Sequence, residues 1–343
     1  ISPMVQDLLS FLNSSHIKNY VGLIDSRLKD LANEQWPTIS VAAAHAVNSG
    51  GKRLRPLLAI LSCEAVCNDP RPAIPVAVAY ELAHTAALIQ DDVIDSSNTR
   101  RGKPALWTLF GVEGAILMAD LLIFEVFGML SEYEKIDLPH DRIFHLLKLI
   151  RDSARTTVRG EFLDLELTRR ETVTEQAYLE MIRLKTGALL AAAAAAGAIV
   201  AGGSEEEVEA MYGFAERMGM AYQVQDDVLD IVQDIARSEN REGKPLFIDL
   251  KNGKQNVVLV HALVTGNRGE KMFLKKLVKK RDVLREDIRK ARMVFQRLGS
   301  MENAQNLSLH LADEGRKFLD VLRPSFAKDL LTTFSYVVTQ TRV

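Results

Sequence analysis

An all-α protein is predicted from three observations. Apolar residues recur at three- and four-residue steps through most of the chain, alternating strand patterns are scarce, and no Pro/Gly/Ser-rich linker divides it. The expectation is a single domain over residues 1–343, a bundle of roughly ten or more helices in which two acidic helices face one cavity.

The elements follow in order. Leu8, Leu9 and Leu12 mark the first helix, and Asn48-Ser49-Gly50-Gly51 and Asn68-Asp69-Pro70-Arg71-Pro72 bound a later one. A long apolar helix carrying Asp91 ends before Arg101-Gly102-Lys103-Pro104, and Ile143, Leu146, Leu147 and Ile150 mark an amphipathic helix beyond it. The uncharged stretch from Thr186 to Gly203 is just long enough to span a bilayer. Only Leu189, Leu190, Ile199 and Val200 supply strong insertion energy, about −0.3 to −0.6 kcal/mol each, so a close-packed buried helix is expected rather than a transmembrane segment. After Gly202-Gly203, Ser204 followed by Glu205, Glu206 and Glu207 reads as a capped helix start. A further break falls at Gly243-Lys244-Pro245, and the charge runs around Lys275, Lys276, Lys279, Lys280 and Arg281 read as solvated faces.

With 47% apolar and 26% charged residues and a formal net charge of −2, the composition suits a soluble globular protein and gives no drive toward nucleic acid. Cys63 and Cys67 lack the partners of a zinc site, which favours free thiols in a reducing, cytoplasmic setting. The chain starts at Ile1, so a removed N-terminal segment stays open.

Two copies of one acidic signature stand out, Asp91-Asp92-Val93-Ile94-Asp95 and Asp226-Asp227-Val228-Leu229-Asp230. On a helix, Asp91 and Asp92 share a face with Asp95, and Asp226 and Asp227 with Asp230. Like charges at that spacing cost about 0.2–0.5 kcal/mol per pair, and apolar neighbours deny them a solvated stripe. A divalent cation is the simplest remedy, and hard carboxylate oxygens in ones and twos suit Mg²⁺ shared with phosphates. A calcium loop needs a different spacing and a central Gly.

Basic residues accompany both clusters. Gly50-Gly51-Lys52-Arg53-Leu54-Arg55-Pro56 looks like a loop entering a helix that could cradle a diphosphate. Arg100-Arg101-Gly102 follows the first cluster, and Lys244, Lys251 and Lys254 follow the second. His84 lies on the helical stripe leading to Asp91.

Taken together, these motifs resemble the trans-isoprenyl diphosphate synthases, or polyprenyl synthetases. The resemblance runs from about Asn48 to about Lys254, with the two glycine- and arginine-rich segments, Lys185-Thr186-Gly187 and both aspartate motifs in family order. It implies an all-α bundle around a deep central cavity (the isoprenoid synthase fold), a homodimer, and Mg²⁺ ions held by Asp91, Asp92, Asp95, Asp226 and Asp227, with Asp230 less direct. It assigns Lys52, Arg55, His84 and Arg101 to isopentenyl diphosphate. Arg100, Lys185, Lys244 and Lys254 fall to the allylic diphosphate, which is dimethylallyl, geranyl or farnesyl diphosphate. Thr186 and Gln223 would line the reacting centre with Lys185. The implied chemistry is Mg²⁺-assisted ionisation to an allylic carbocation, attack by the second substrate's alkene, and proton removal by the departed diphosphate.

Product length is read from the helix carrying Asp91. The resemblance implies that aromatics four and five residues before Asp91 floor the pocket of short-chain members, and here Ala87 and Ala86 occupy those places. Ala83 is also small, and Tyr80 is the first large side chain, about 16 Å from Asp91 at 1.5 Å per residue. The expected product is geranylgeranyl diphosphate or longer, with Phe124 and Phe127 on a later helix as a second candidate floor. Departures from the family pattern are Ser96, Ser97, Asn98, Glu161, Tyr222, Phe247 and Gln255, none of which removes a metal ligand. A terpene cyclase and a non-catalytic prenyl-diphosphate-binding subunit are the competing readings.

Overall fold

The computed structural model describes residues 7–33, 36–48, 50–239, 253–278, 280 and 283–340, with side chains of 233–239 left aside. Helices α1 (Leu8–Leu12), α2 (Ser15–Leu31), α3 (Pro37–Val47), α4 (Leu54–Cys67), α5 (Ile74–Ile94) and α6 (Leu106–Ser131) come first. They are followed by α7 (His140–Leu167), α8 (Glu175–Ile182), a π-helical turn (Arg183–Gly187), α9 (Ala188–Val200) and α10 (Glu205–Glu239). The last are α11 (Val257–Thr265), α12 (Arg268–Leu277), α13 (Arg285–Arg297), α14 (Ser300–Phe318) and α15 (Phe326–Val337). Among the described residues the only strands are β1 (Thr99–Arg100) and β2 (Lys103–Pro104), which pair antiparallel. The all-α expectation holds.

The chain divides into two compact units. The first comprises Ile1–Ser153, Leu189–Ala215 and Phe318–Thr333, and the second Ala154–Ala188, Glu216–Lys317 and Phe334–Val343. In the first, α5 packs along α6 and α4. Pro75 opens α5, and from Ile74 to Gln90 only Glu81 is charged, so the helix is apolar nearly all round and lies buried. The alanine-rich α9 is buried as expected, and it meets α4 at Gly197, where a Cβ would come 2.0 Å from the Ala59 carbonyl oxygen. Cys63 is buried and Cys67 half-buried, both as free thiols. In α6, Gly111 departs from helical geometry at φ 74° and ψ 169°, which marks a kink.

In the second unit α14 docks on α10 through Ser308 Oγ, which donates to the Ala221 carbonyl at 2.9 Å. Asn267 and Glu270 form a reciprocal cap on α12. The start of α10 belongs to the first unit, where Ser204 and Glu207 cap its N-terminus reciprocally, as its sequence signals.

By length and composition, Arg71–Ile94, Leu106–Ile136 and Glu175–Val200 are each long and apolar enough to cross a membrane. The most apolar 18-residue windows of the first and third are 67% and 78% buried within the protein, whereas that of Leu106–Ile136 is 39% buried. Much of α6 therefore faces outward. Phe124 and Phe127 belong to that outward face, at 70% and 49% exposure, which corrects their reading as a pocket floor. Helical periodicity put them on one stripe, but not on the stripe that packs against α5.

Candidate active site

The first acidic cluster sits at the C-terminal end of α5, with Asp95 as its C-cap residue. Helix C-termini carry partial negative charge, so three carboxylates there are worse placed than anywhere else on the helix. Arg100 on β1 answers part of that charge. Its Nε donates to Asp92 Oδ1 at 2.9 Å, and its Nη2 donates to Asp92 Oδ1 at 2.5 Å and to Asp91 Oδ2 at 3.2 Å. Asp92 is buried, and desolvation raises its pKa, with Asp91 and Asp95 adding to the shift and Arg100 opposing it.

The arginine turn explains how cations reach this place. Arg101 and Gly102 both have positive φ, the signature of a two-residue turn, and Thr99 pairs with Pro104 and Arg100 with Lys103. The turn docks on the glycine loop before α4. Arg101 Nη1 donates to the Gly50 carbonyl, Lys103 Nζ donates to the Asn48 carbonyl at 2.8 Å, and the Arg101 guanidinium occupies the space a Cβ at Gly51 would need. His84 is half-buried on α5 beside these groups. Burial, then Arg55, Arg101, Arg100 and Arg53, hold its imidazole well below the ordinary histidine range, so it stays neutral near pH 7. Arg53, Arg55, Arg100 and Arg101 thus gather around His84 within the first unit.

On α5 above the cluster, Ala86 is buried, Ala83 and Ala87 are half-buried, and Tyr80 is 1% exposed. The small side chains leave this face narrow, and Tyr80 is the first large buried side chain on the face that Ala87 and Ala83 share with Asp91.

The second unit holds the other candidates. Lys185 and Thr186 lie in the π-helical turn between α8 and α9, a geometry often found at functional sites. Gly160 of α7 is what allows that turn, since a Cβ there would lie 2.3 Å from the Lys185 backbone nitrogen. Lys185 Nζ is paired with Glu161 Oε2 at 2.8 Å and Asp164 Oδ2 at 2.7 Å. Thr186 Oγ1 donates to Gln223 Oε1 at 3.1 Å, and Gln223 Nε2 donates to Asp227 Oδ1 at 3.1 Å. The buried Tyr178 hydroxyl donates to Asp227 Oδ2 at 2.7 Å, and the Val257 amide at the start of α11 donates to the same oxygen at 3.3 Å. Thr186, Gln223, Asp227 and Tyr178 form one continuous hydrogen-bonded chain. Asp226 is half-buried, Asp230 exposed and Lys254 half-buried, while Lys244 lies outside the described residues. Gln255, beside Lys254, donates from Nε2 to the Arg170 carbonyl at 3.0 Å.

Tyr178, Arg53 and Glu81 were not singled out by sequence reasoning. Glu81 left a signal, as the one charged residue in a long apolar run. Tyr178 left none, because its partner Asp227 is 49 residues away.

Carboxylates at the C-terminal end of α5 thus stand beside a group of cations. A sequence model of the polyprenyl synthetase family matches residues 37–294, and the chain belongs to that family. It is similar to a short chain isoprenyl diphosphate synthase of Methanothermobacter thermautotrophicus, 34% identical over 316 residues covering 92% of this chain and 94% of that one. It is equally similar to a geranylgeranyl diphosphate synthase of Methanosarcina mazei, again 34% identical, with coverage of 92% and 94%. Among solved structures, geranylgeranyl pyrophosphate synthetase from Pyrococcus horikoshii matches with a TM-score of 0.87 and 32% identity, over 96% of this chain and 98% of that one. The chain is a prenyltransferase, and the cyclase and non-catalytic-subunit readings find no support in these matches.

Proposed function

We propose that this enzyme condenses isopentenyl diphosphate head to tail with an allylic diphosphate, and that its product is geranylgeranyl diphosphate or longer. The observation that supports the substrate reading is the gathering of Arg55, Arg101, Arg100 and Arg53 around His84, beside the glycine loop and the first aspartate cluster. A diphosphate is its natural counter-ion. Lys52, Arg55, His84 and Arg101 would hold isopentenyl diphosphate, with neutral His84 donating one hydrogen bond. Arg100, Lys185, Lys244 and Lys254 would hold the allylic diphosphate.

The donor set fits Mg²⁺. Asp91, Asp92, Asp95, Asp226 and Asp227, with Asp230 less directly, offer hard oxygens, and the desolvated, crowded Asp92 gains from a nearby cation. Among the described residues no cage of three or more ligands is preformed, which suits ions that share their coordination with substrate oxygens. When bound, Mg²⁺ supplies positive charge against the diphosphate that leaves.

The chain's own residues do the rest. Arg100 and Lys185 steady the departing diphosphate, and the Lys52 group aligns the attacking alkene with the cationic carbon. The Thr186–Gln223 pair lines the reacting carbon with polar groups already engaged to each other. Apolar walls keep out water that would quench the cation. The growing tail would run past Ala87, Ala86 and Ala83 toward Tyr80. Ala86→Phe is expected to shorten the main product to farnesyl diphosphate, read by mass spectrometry, and an unchanged product would remove α5 as the measuring wall.

Assembly as a homodimer is supported by the outward face of α6, where Leu109, Ile116, Leu117, Phe124 and Phe127 are exposed. Asp120 lies on the same stripe, exposed between Leu117 and Phe124, and a charge there suits a second protein copy better than a bilayer. Phe124→Glu should convert the dimer to monomer in sedimentation experiments, and a wild-type monomer would refute the assembly.

A further inference from the structure

We propose that Arg53 and Glu81 form a buried tie that fixes the glycine loop to α5, making them positioning residues for isopentenyl diphosphate rather than contacts to it. The inference rests on the assignment of Lys52, Arg55 and His84 to that substrate.

Three cations follow Gly50-Gly51, and the middle one is set apart from its neighbours. Lys52 and Arg55 are half-buried, whereas Arg53 is 7% exposed. Its guanidinium is occupied on three sides. Nη1 donates to Glu81 Oε1 at 2.5 Å, Nε to Asp25 Oδ1 at 2.9 Å, and Nη2 to the Val47 carbonyl at 2.8 Å. Burial works against its charge, and Glu81 followed by Asp25 more than offsets that.

The backbone gives the same reading. Arg53 is the N-cap residue of α4 and adopts the left-handed conformation, φ 49° and ψ 36°. A non-glycine residue holds that conformation only where its surroundings over-determine it. The three side-chain contacts supply that determination. They fix the path of the chain between Lys52 and the first turn of α4, where Arg55 sits.

Glu81 is the other end. It is 2% exposed and lies three residues before His84, on the same side of α5. The tie therefore joins the loop bearing Lys52 and Arg55 to the helix bearing His84 and Asp91. It also cancels a carboxylate that would otherwise repel a diphosphate nearby.

The test is steady-state kinetics on the full chain, varying each substrate while the other saturates, beside thermal melts. Glu81→Gln and Arg53→Lys should each raise KM for isopentenyl diphosphate by about 10–10²-fold, the loss expected from a misplacement near 1 Å. KM for the allylic diphosphate should stay within about twofold, because Arg53 bonds Glu81, Asp25 and Val47 and none of the residues assigned to that substrate. Asp25→Asn, at the exposed end of the tie, should move KM the same way by less, and it carries the test if the buried variants fail to fold. Lys52→Ala separates the two assignments. If it raises KM for isopentenyl diphosphate while the tie variants lower only the melting temperature, the tie is merely structural and the proposal falls alone. If Lys52→Ala leaves that KM unchanged, the substrate assignment falls and the proposal with it.

Discussion

Asp91→Ala and Asp226→Ala should each reduce diphosphate release by about 10³-fold, the scale on which charge-stabilising groups act in a closed site. Neither should unfold the protein. Asp91 stands in the last turn of α5, where the helix dipole and the neighbouring Asp92 and Asp95 all disfavour a negative charge. Removing it relieves about 0.3–1 kcal/mol of unfavourable dipole interaction, against the loss of a 3.2 Å contact to Arg100 of similar small worth. Far-UV circular dichroism and the melting temperature should therefore stay near wild type while turnover disappears. Asp226 sits within α10, away from either terminus, so its replacement adds no terminal penalty. Full turnover by either variant, at saturating substrate and Mg²⁺, would show that these carboxylates hold no catalytic ion.

Gly160→Ala is the second large effect, and it acts through backbone. The added Cβ would lie 2.3 Å from Lys185 N, 2.6 Å from Lys185 Cα and 2.7 Å from the Leu184 carbonyl carbon. None of these atoms is the end of a flexible side chain, so the π-helical turn itself has to move. Overpacking of this kind costs about 1–3 kcal/mol, which denaturant titration would read. The displacement falls on Lys185 and Thr186, and with them the Gln223 and Asp227 hydrogen bonds, so kcat should fall by about 10²-fold. Gly22→Ala is the matched control. It lies inside α2 with nothing within 4 Å of its Cβ position, and should stabilise by about 0.5–1 kcal/mol without touching kcat. Equal kinetics for Gly160→Ala and wild type would separate the turn from catalysis.

The parts legible in the sequence are those that local periodicity or chemistry determines. The helical pattern, the capped start at Ser204 and the buried alanine helix follow from spacing and residue type, and both aspartate motifs declare themselves by like charges on one helical face. Pairings across long stretches of chain were not legible. Arg53 meets Glu81 28 residues later and Tyr178 meets Asp227 49 residues later, and no local pattern encodes such distances. The π-helical turn at Lys185 was hidden for a similar reason, since it depends on Gly160 of another helix. Phe124 and Phe127 show the limit of periodicity most plainly. A 3.6-residue repeat says which residues share a face, but α6 is apolar on more than one, so it could not say which face packs inward.

The most direct test is to incubate the protein with Mg²⁺, isopentenyl diphosphate and farnesyl diphosphate and to identify every product by mass spectrometry. The account predicts inorganic diphosphate together with geranylgeranyl diphosphate or longer linear prenyl diphosphates. Cyclised hydrocarbons, or an absence of condensation with farnesyl diphosphate left unextended, would contradict it.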